Sequence, residues 1–218
     1  MNSSTVPGAA ATRNLPRSAA DASVRPSGAA GPVRVILIRH GQPAIAISPR
    51  TGHKGFRRYI ADYEEAGLDP ESLPPAEIRD LVAELAAVFT SDKKRARESA
   101  HALMPGAEVI VDPLFIEAPL ASPRIPLLRM SVPKWAVVAR VLWHAGFHPG
   151  IEPPARAQRR AREAADILTA RAGRDGAAAL VAHGYFNFLI GRVLLARGFR
   201  QTGRHRARFW NAVIYERS

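Results

Sequence analysis

With 218 residues and 47% hydrophobic content, the chain has apolar material for one domain with a substantial core, and disorder over most of its length is excluded. No apolar run reaches the roughly 18–20 residues of a membrane span, no compact apolar stretch marks a secretory signal, and no cysteine is present for disulfides, thiol nucleophiles or cysteine-held zinc, so the chain reads as cytoplasmic. The net charge of +12 is mostly arginine scattered along the chain, which reads as solvated background that attracts anionic substrates, with no specific nucleic-acid partner and no membrane partner expected.

Residues 1–31, rich in Ala, Ser, Gly and Pro, read as a disordered tail, and residues 32–218 as the folded domain. The run Val33–Ile38 is β-branched and short, a buried strand that ends in Arg39-His40-Gly41-Gln42-Pro43. Residues 44–74 read as irregular, with a short helix over Arg57–Ala66. Pro74-Pro75 opens a helix with Ile78, Leu81, Val82 and Leu85 on one face. Ala87–Thr90 is a strand, and Ser91 or Asp92 caps a helix from Lys93 to Met104 that Pro105-Gly106 stops. Glu108–Val111 is another strand.

Prolines at 113, 119, 123, 126 and 133 make the following stretch a loop, and residues 112–150 as a whole read as a lid. Helices are expected over Lys134–Ala145 and Pro154–Ala172, the second with a stripe of Ala157, Ala161, Ala164 and Leu168. Ala177–Ala182 is a strand ended by His183-Gly184, Tyr185–Ala196 a helix, and Arg208–Tyr215 the last strand. Strands alternating with helices predict an α/β fold: a three-layer α/β/α sandwich with a mostly parallel central sheet and a lid insertion. Ligands of such sheets bind beyond the carboxyl ends of the strands, where Arg39, His40, Arg95 and His183 all fall.

Each of these residues has an ordinary structural explanation taken alone; the combination carries the chemistry. Two guanidinium forks and a histidine donor suit a phosphoryl group with its charged oxygens. A neutral His40 imidazole can attack phosphorus in line, and a carboxylic acid can protonate the departing alkoxide.

The sequence resembles the histidine phosphatase superfamily, the phosphoglycerate mutase-like group, over about residues 33–216. The resemblance rests on Leu37-Ile38-Arg39-His40-Gly41-Gln42-Pro43, on Phe89-Thr90-Ser91-Asp92-Lys93-Lys94-Arg95 and on Leu180-Val181-Ala182-His183-Gly184. It implies that His40 becomes phosphorylated and that Arg39, Arg95 and His183 hold the phosphoryl oxygens, with Gly41 beside them and His183 also catalytic. It implies Glu117 as proton donor, against the competitors Glu64, Glu65, Asp112 and Glu152. No metal and no organic cofactor are implied for the phosphatase branch, and the partner is a small phosphorylated substrate.

The pattern departs at Ala46, where many members carry a polar residue six positions after the nucleophile. Asn187, one helical turn beyond His183, is a candidate replacement in phosphate binding, or else a helix-surface amide or a buried amide bonding a neighbouring loop. Trp135 and Trp143 either pack the lid helix onto the core or face a bulky apolar substrate. Hydrolysis through a phosphohistidine is the expected function. The alternatives are mutase-type phosphoryl transfer and a non-catalytic protein binding phosphate or nucleic acid through the arginines at 197, 200, 204, 206 and 208.

Overall fold

The structure is a computed structural model that describes residues 31–46 and 49–218. The tail read over residues 1–31 lies, but for its last residue, outside the described residues. Six strands form one sheet in the order β3-β2-β4-β1-β6-β5. They are β1 (Val33–Arg39), β2 (Ala87–Thr90), β3 (Glu108–Val111), β4 (Ala177–Ala182), β5 (Arg200–Thr202) and β6 (Ala212–Arg217). β3, β2, β4 and β1 run parallel, β6 pairs antiparallel with β1, and β5 closes the edge antiparallel to β6.

Strand β1 is buried on both faces, as its unbroken apolar run requires. Val35 and Leu37 join a core with the alanine stripe of α5 (Pro154–Asp175) and with Phe186, Leu189 and Ile190 of α6 (Gly184–Ala196). Ile36 and Ile38 point the other way, toward Ile78 and Val82 of α2 (Ala76–Val82) and Ala100 and Leu103 of α3 (Lys94–Leu103). This alternation makes the three layers. α6 passes so near the sheet that a Cβ at Gly191 would collide with the Tyr215 hydroxyl of β6, so only glycine fits.

A third apolar cluster joins α1 (His53–Glu65) to α4 (Val132–His144). Phe56 stacks on Trp135 with ring centroids 5.7 Å apart, and the Trp135 indole N–H donates to Thr51 O at 2.8 Å. Trp143 packs into the core beside α5 and α6, with its N–H on Glu152 O at 2.8 Å. Both tryptophans are buried and their N–H groups are spent, so they pack the 112–150 segment onto the domain rather than face a ligand.

Several elements differ from expectation, some for an identifiable physical reason. α1 begins at His53, four residues early, because its first turn is fastened by the Trp135 cluster, a contact distant in sequence. The residue before α3 is Lys93, with no side-chain cap, because Ser91 turns instead toward His183. β5 has no apolar residue and lies exposed at the sheet edge, which hid it from a periodicity reading. β6 starts at Ala212 because Trp210, at φ 55°, breaks the extended run begun at Arg208.

Candidate active site

The carboxyl ends of β1, β2 and β4 bring the candidate residues together. The N–H of His40 donates to Ala182 O at 2.8 Å, joining the two histidine-bearing strand ends. The His40 and His183 rings meet edge to face, centroids 5.2 Å apart. The Arg39 side chain lies against Gly184, whose added Cβ would meet its Cδ and Nε at 3.4 Å. Arg95, from the first turn of α3, is fully buried and electrostatically coupled to both histidines.

The His40 ring has a defined orientation. Its Nδ1 lies 2.6 Å from Gly41 O, and a carbonyl only accepts, so Nδ1 carries the proton. Nε2 therefore presents its lone pair. The Tyr63 hydroxyl, at the end of α1, donates to it at 3.2 Å. Burial, then the charges of Arg39 and Arg95, push the His40 pKa well below the usual 6.5, against the smaller raising effect of the Gly41 carbonyl. The ring is neutral and nucleophilic at neutral pH. His183 is lowered likewise, by burial first and then by His40, Arg95, Lys93 and Arg39.

These shifts predict a pH dependence. With folded pKa values below the unfolded 6.5, the unfolded chain binds more protons between the two, so stability is complete above about 6.5 and falls as the pH drops through the lower folded values. The midpoint of thermal unfolding should decline on acidification below 6.5. Any rate that depends on neutral His40, corrected for ligand ionisation, should show no inflection at 6.5 and fall only at lower pH. An inflection at 6.5 would mean that His40 is solvated.

The polar atoms left over are informative. Among the described residues, the buried side-chain nitrogens and oxygens without a partner are Arg39 Nε, Arg95 Nε and Nη2, His183 Nδ1 and Asn187 Oδ1. Arg39 Nη1 donates to Ala207 O at 2.7 Å, and the Phe209 ring lies 4.4 Å from its guanidinium carbon. Arg95 Nη1 donates to Tyr63 O at 2.6 Å and Glu64 O at 3.3 Å. The Ser91 hydroxyl meets His183 Nε2 at 2.8 Å while accepting from Lys93 N–H at 3.4 Å. A serine that donates to Nε2 leaves the hydrogen on His183 Nδ1. Arg39, Arg95 and His183 thus each keep a buried polar atom without a partner, and all three are electrostatically coupled to His40. Buried donors of this kind normally have partners, and an anion supplies them.

Two expected phosphate contacts are otherwise engaged. The Gly41 N–H donates to Ser99 Oγ at 2.9 Å, and the Ser99 hydroxyl donates to Arg95 O at 2.6 Å. Gly41 orients the nucleophile through its carbonyl, and it must be glycine because a Cβ would meet Leu68 and the Trp210 ring at 2.5–2.6 Å. The Asn187 amide donates to Ile38 O at 3.0 Å, tying α6 to β1. It is the buried structural amide among those readings, and its unpartnered oxygen is an acceptor, the wrong polarity for a phosphate.

Glu117 sits at the start of α6. Its Oε1 accepts from Ala118 N at 3.0 Å and Phe186 N at 2.8 Å, and Oε2 from Tyr185 N at 3.1 Å. The carboxylate satisfies N–H groups that a helix start leaves open. Arg160 fastens its loop by bonds to Leu114 O and Ile116 O, and Arg140 by a bond to Ala118 O. The competitors are placed elsewhere. Glu152 pairs with Arg160 at 2.7 Å, Asp112 caps the turn at Leu114, and Glu65 is exposed. Glu64 bridges Lys93 at 2.7 Å and Arg95 at 3.6 Å.

Sequence reasoning missed Tyr63, Ser91, Ser99, Phe209 and Trp210. Ser91 and Ser99 lie within the second motif and its helix, so their nearness to Arg95 was a usable signal. Tyr63 and Phe209 offered none, since only the docking of α1 and the loop before β6 brings their rings to His40, with centroids 6.2 and 5.7 Å away.

No curated protein matches the chain. Among solved structures, the product of an open reading frame of Mycobacterium tuberculosis aligns with a TM-score of 0.54 at 17% identity, over 83% of this chain and 89% of that one. A phosphoserine phosphatase of Entamoeba histolytica, solved with 3-phosphoglyceric acid, aligns at 0.52 and 14% identity, over 83% and 89%. Mycobacterial hydrolase 1 aligns at 0.51 and 20%, over 76% and 82%. These likenesses establish the fold. The family model of the histidine phosphatase superfamily, branch 1, matches residues 35–215, nearly the whole folded chain. The chain belongs to the histidine phosphatase superfamily.

Proposed function

We propose that the protein is a phosphomonoester hydrolase acting on a small phosphorylated metabolite through a phosphohistidine at His40. The observation that carries this reading is the set of buried, unpartnered polar atoms on Arg39, Arg95 and His183 beside a neutral imidazole whose Nε2 lone pair is met by the Tyr63 hydroxyl. In the first step that lone pair forms an N–P bond while the P–O bond to the leaving group breaks. The N–H groups neutralise charge on the phosphoryl oxygens, which is most of what phosphoryl transfer asks of a protein. In the second step water attacks phosphorus, the N–P bond breaks, and inorganic phosphate leaves.

Glu117 is the proposed acid and base. With three N–H bonds to its oxygens it is set up as the carboxylate that accepts a proton from water; acting as acid in the first step requires giving up one of them. Glu117→Gln should lower turnover of alkyl phosphates by about 10²-fold more than that of activated aryl phosphates, whose leaving groups need no proton. Equal losses on both, with a lower unfolding midpoint, would make Glu117 only the cap of α6.

The direct test is release of inorganic phosphate by the purified protein from a panel of phosphomonoesters, with and without a chelator. Release that the chelator leaves unchanged is expected. Stoichiometric isomerisation of a phosphoglycerate without release would replace hydrolysis by mutase chemistry. Salt-sensitive binding of DNA or RNA with no turnover of any ester would contradict both.

A further inference from the structure

Two of the donors expected around the phosphoryl group are committed elsewhere, the Gly41 N–H to Ser99 and the Asn187 amide to Ile38. One donor that the motifs do not contain stands at the nucleophile itself. We propose that Tyr63 is a catalytic residue of this chain, its hydroxyl donating to the His40 Nε2 lone pair and, once phosphorus takes that lone pair, to a phosphoryl oxygen. The inference rests on the phosphatase reading above and adds a residue to it.

The geometry leaves the hydroxyl little alternative. It lies 3.2 Å from Nε2. Phosphorus bonded to Nε2 brings three oxygens around the same point, so the hydroxyl, displaced from the lone pair by phosphorus, comes to rest against them. Its position is held from three sides. The Tyr63 ring lies under the Arg95 guanidinium, 4.4 Å from centroid to carbon, and the Tyr63 carbonyl accepts from Arg95 Nη1 at 2.6 Å. Glu64, next in sequence, bridges Lys93 and Arg95. The Phe56–Trp135 stack anchors the earlier part of α1. Tyr63 is therefore tied to the arginine whose unspent Nε and Nη2 would grip the same oxygens.

The proton balance is simple. The Nε2 lone pair forms the N–P bond, the leaving oxygen departs with the electrons of the P–O bond, and Tyr63 keeps its proton throughout, exchanging one acceptor for another. An acceptor that gains negative charge on the way to the transition state strengthens this bond, which is what makes it catalytic.

Tyr63→Phe keeps the ring under Arg95 and removes only the donor. The expected result is a fall of about 10–100-fold in kcat/KM for 4-nitrophenyl phosphate, the size of one hydrogen bond to a charged group, with a comparable loss in inhibition by orthovanadate. The unfolding midpoint should stay near that of the parent protein, and the acidic limb of the rate profile should move up because Nε2 loses its donor. Parent-like kcat/KM and vanadate affinity would overturn the proposal while leaving the phosphatase reading intact. A faster variant would overturn it too, since the hydroxyl would then only obstruct the lone pair. A parent protein that neither turns over esters nor binds vanadate would overturn the phosphatase reading and this proposal with it.

Discussion

Replacing His40 with alanine is expected to lower phosphomonoester hydrolysis by on the order of 10⁴–10⁶-fold, the scale of losing a covalent nucleophile. Among the described residues around His40, no other nucleophile is placed to take over. Tyr63 lies against the ring but points a hydroxyl at it, and His183 is occupied by Ser91. The chain has no cysteine. Arg39, Arg95 and His183 would still bind the ester and polarise it, so orthovanadate or phosphate should still bind the variant. The change also leaves a cavity and frees Gly41 O, so a lower unfolding midpoint is expected. Circular dichroism at the assay temperature separates the two effects. A folded variant retaining a tenth of parent activity would remove His40 from the mechanism.

The second large effect belongs to Arg95. Arg95→Lys keeps the charge but should lower kcat/KM by about 10²–10³-fold, as loss of an oxyanion-type donor does. The guanidinium uses Nη1 to hold Tyr63 O and Glu64 O, while Nη2 lies 3.6 Å from the Glu64 carboxylate, beyond hydrogen-bond reach, so Nε and Nη2 keep their hydrogens for a ligand. A single ammonium cannot reach both sides. Either Tyr63 O loses its donor, costing about 1–3 kcal/mol in a buried site, or the phosphoryl oxygens do. Arg97, two residues on and exposed, should tolerate the same change without effect on rate. Equal rates for Arg95→Lys and the parent would mean that the buried guanidinium is structural.

The contrast between Arg95 and Arg97 shows where the sequence was legible. Lys93, Lys94, Arg95 and Arg97 look alike on paper; the motif singles out Arg95, and the fold buries it completely. His40, Arg39 and His183 were readable for a simpler reason. Each ends an apolar run that can only be a buried strand, and a parallel sheet collects such ends on one edge. Glu117 stood out only through the family resemblance, and its partners come from α6, 68 and 69 residues away. Gly41 N–H and the Asn187 amide turn to Ser99 and Ile38 O because residue type says what a group can donate, whereas only packing says to whom.

Tyr63 and Trp210 were invisible for a related reason. Tyr63 reaches His40 because α1 is clamped by Trp135, a residue 72 positions later. Trp210 covers Gly41 by adopting a left-handed backbone that no local pattern announces, with its indole N–H on Ser72 Oγ at 3.1 Å. Such side chains complete a site through tertiary contacts, so their roles emerge only once the layers are assembled.

The account turns on whether phosphorus becomes bonded to His40. Rapid mixing of the parent protein with an aryl phosphate, quenching in alkali and mapping by peptide mass tests this directly. The expected result is one phosphoryl group on the peptide carrying His40, stable in alkali, lost in acid and lacking in the His40→Ala variant. Turnover with no phosphoryl group on the protein, or with the group on any other residue, would contradict it.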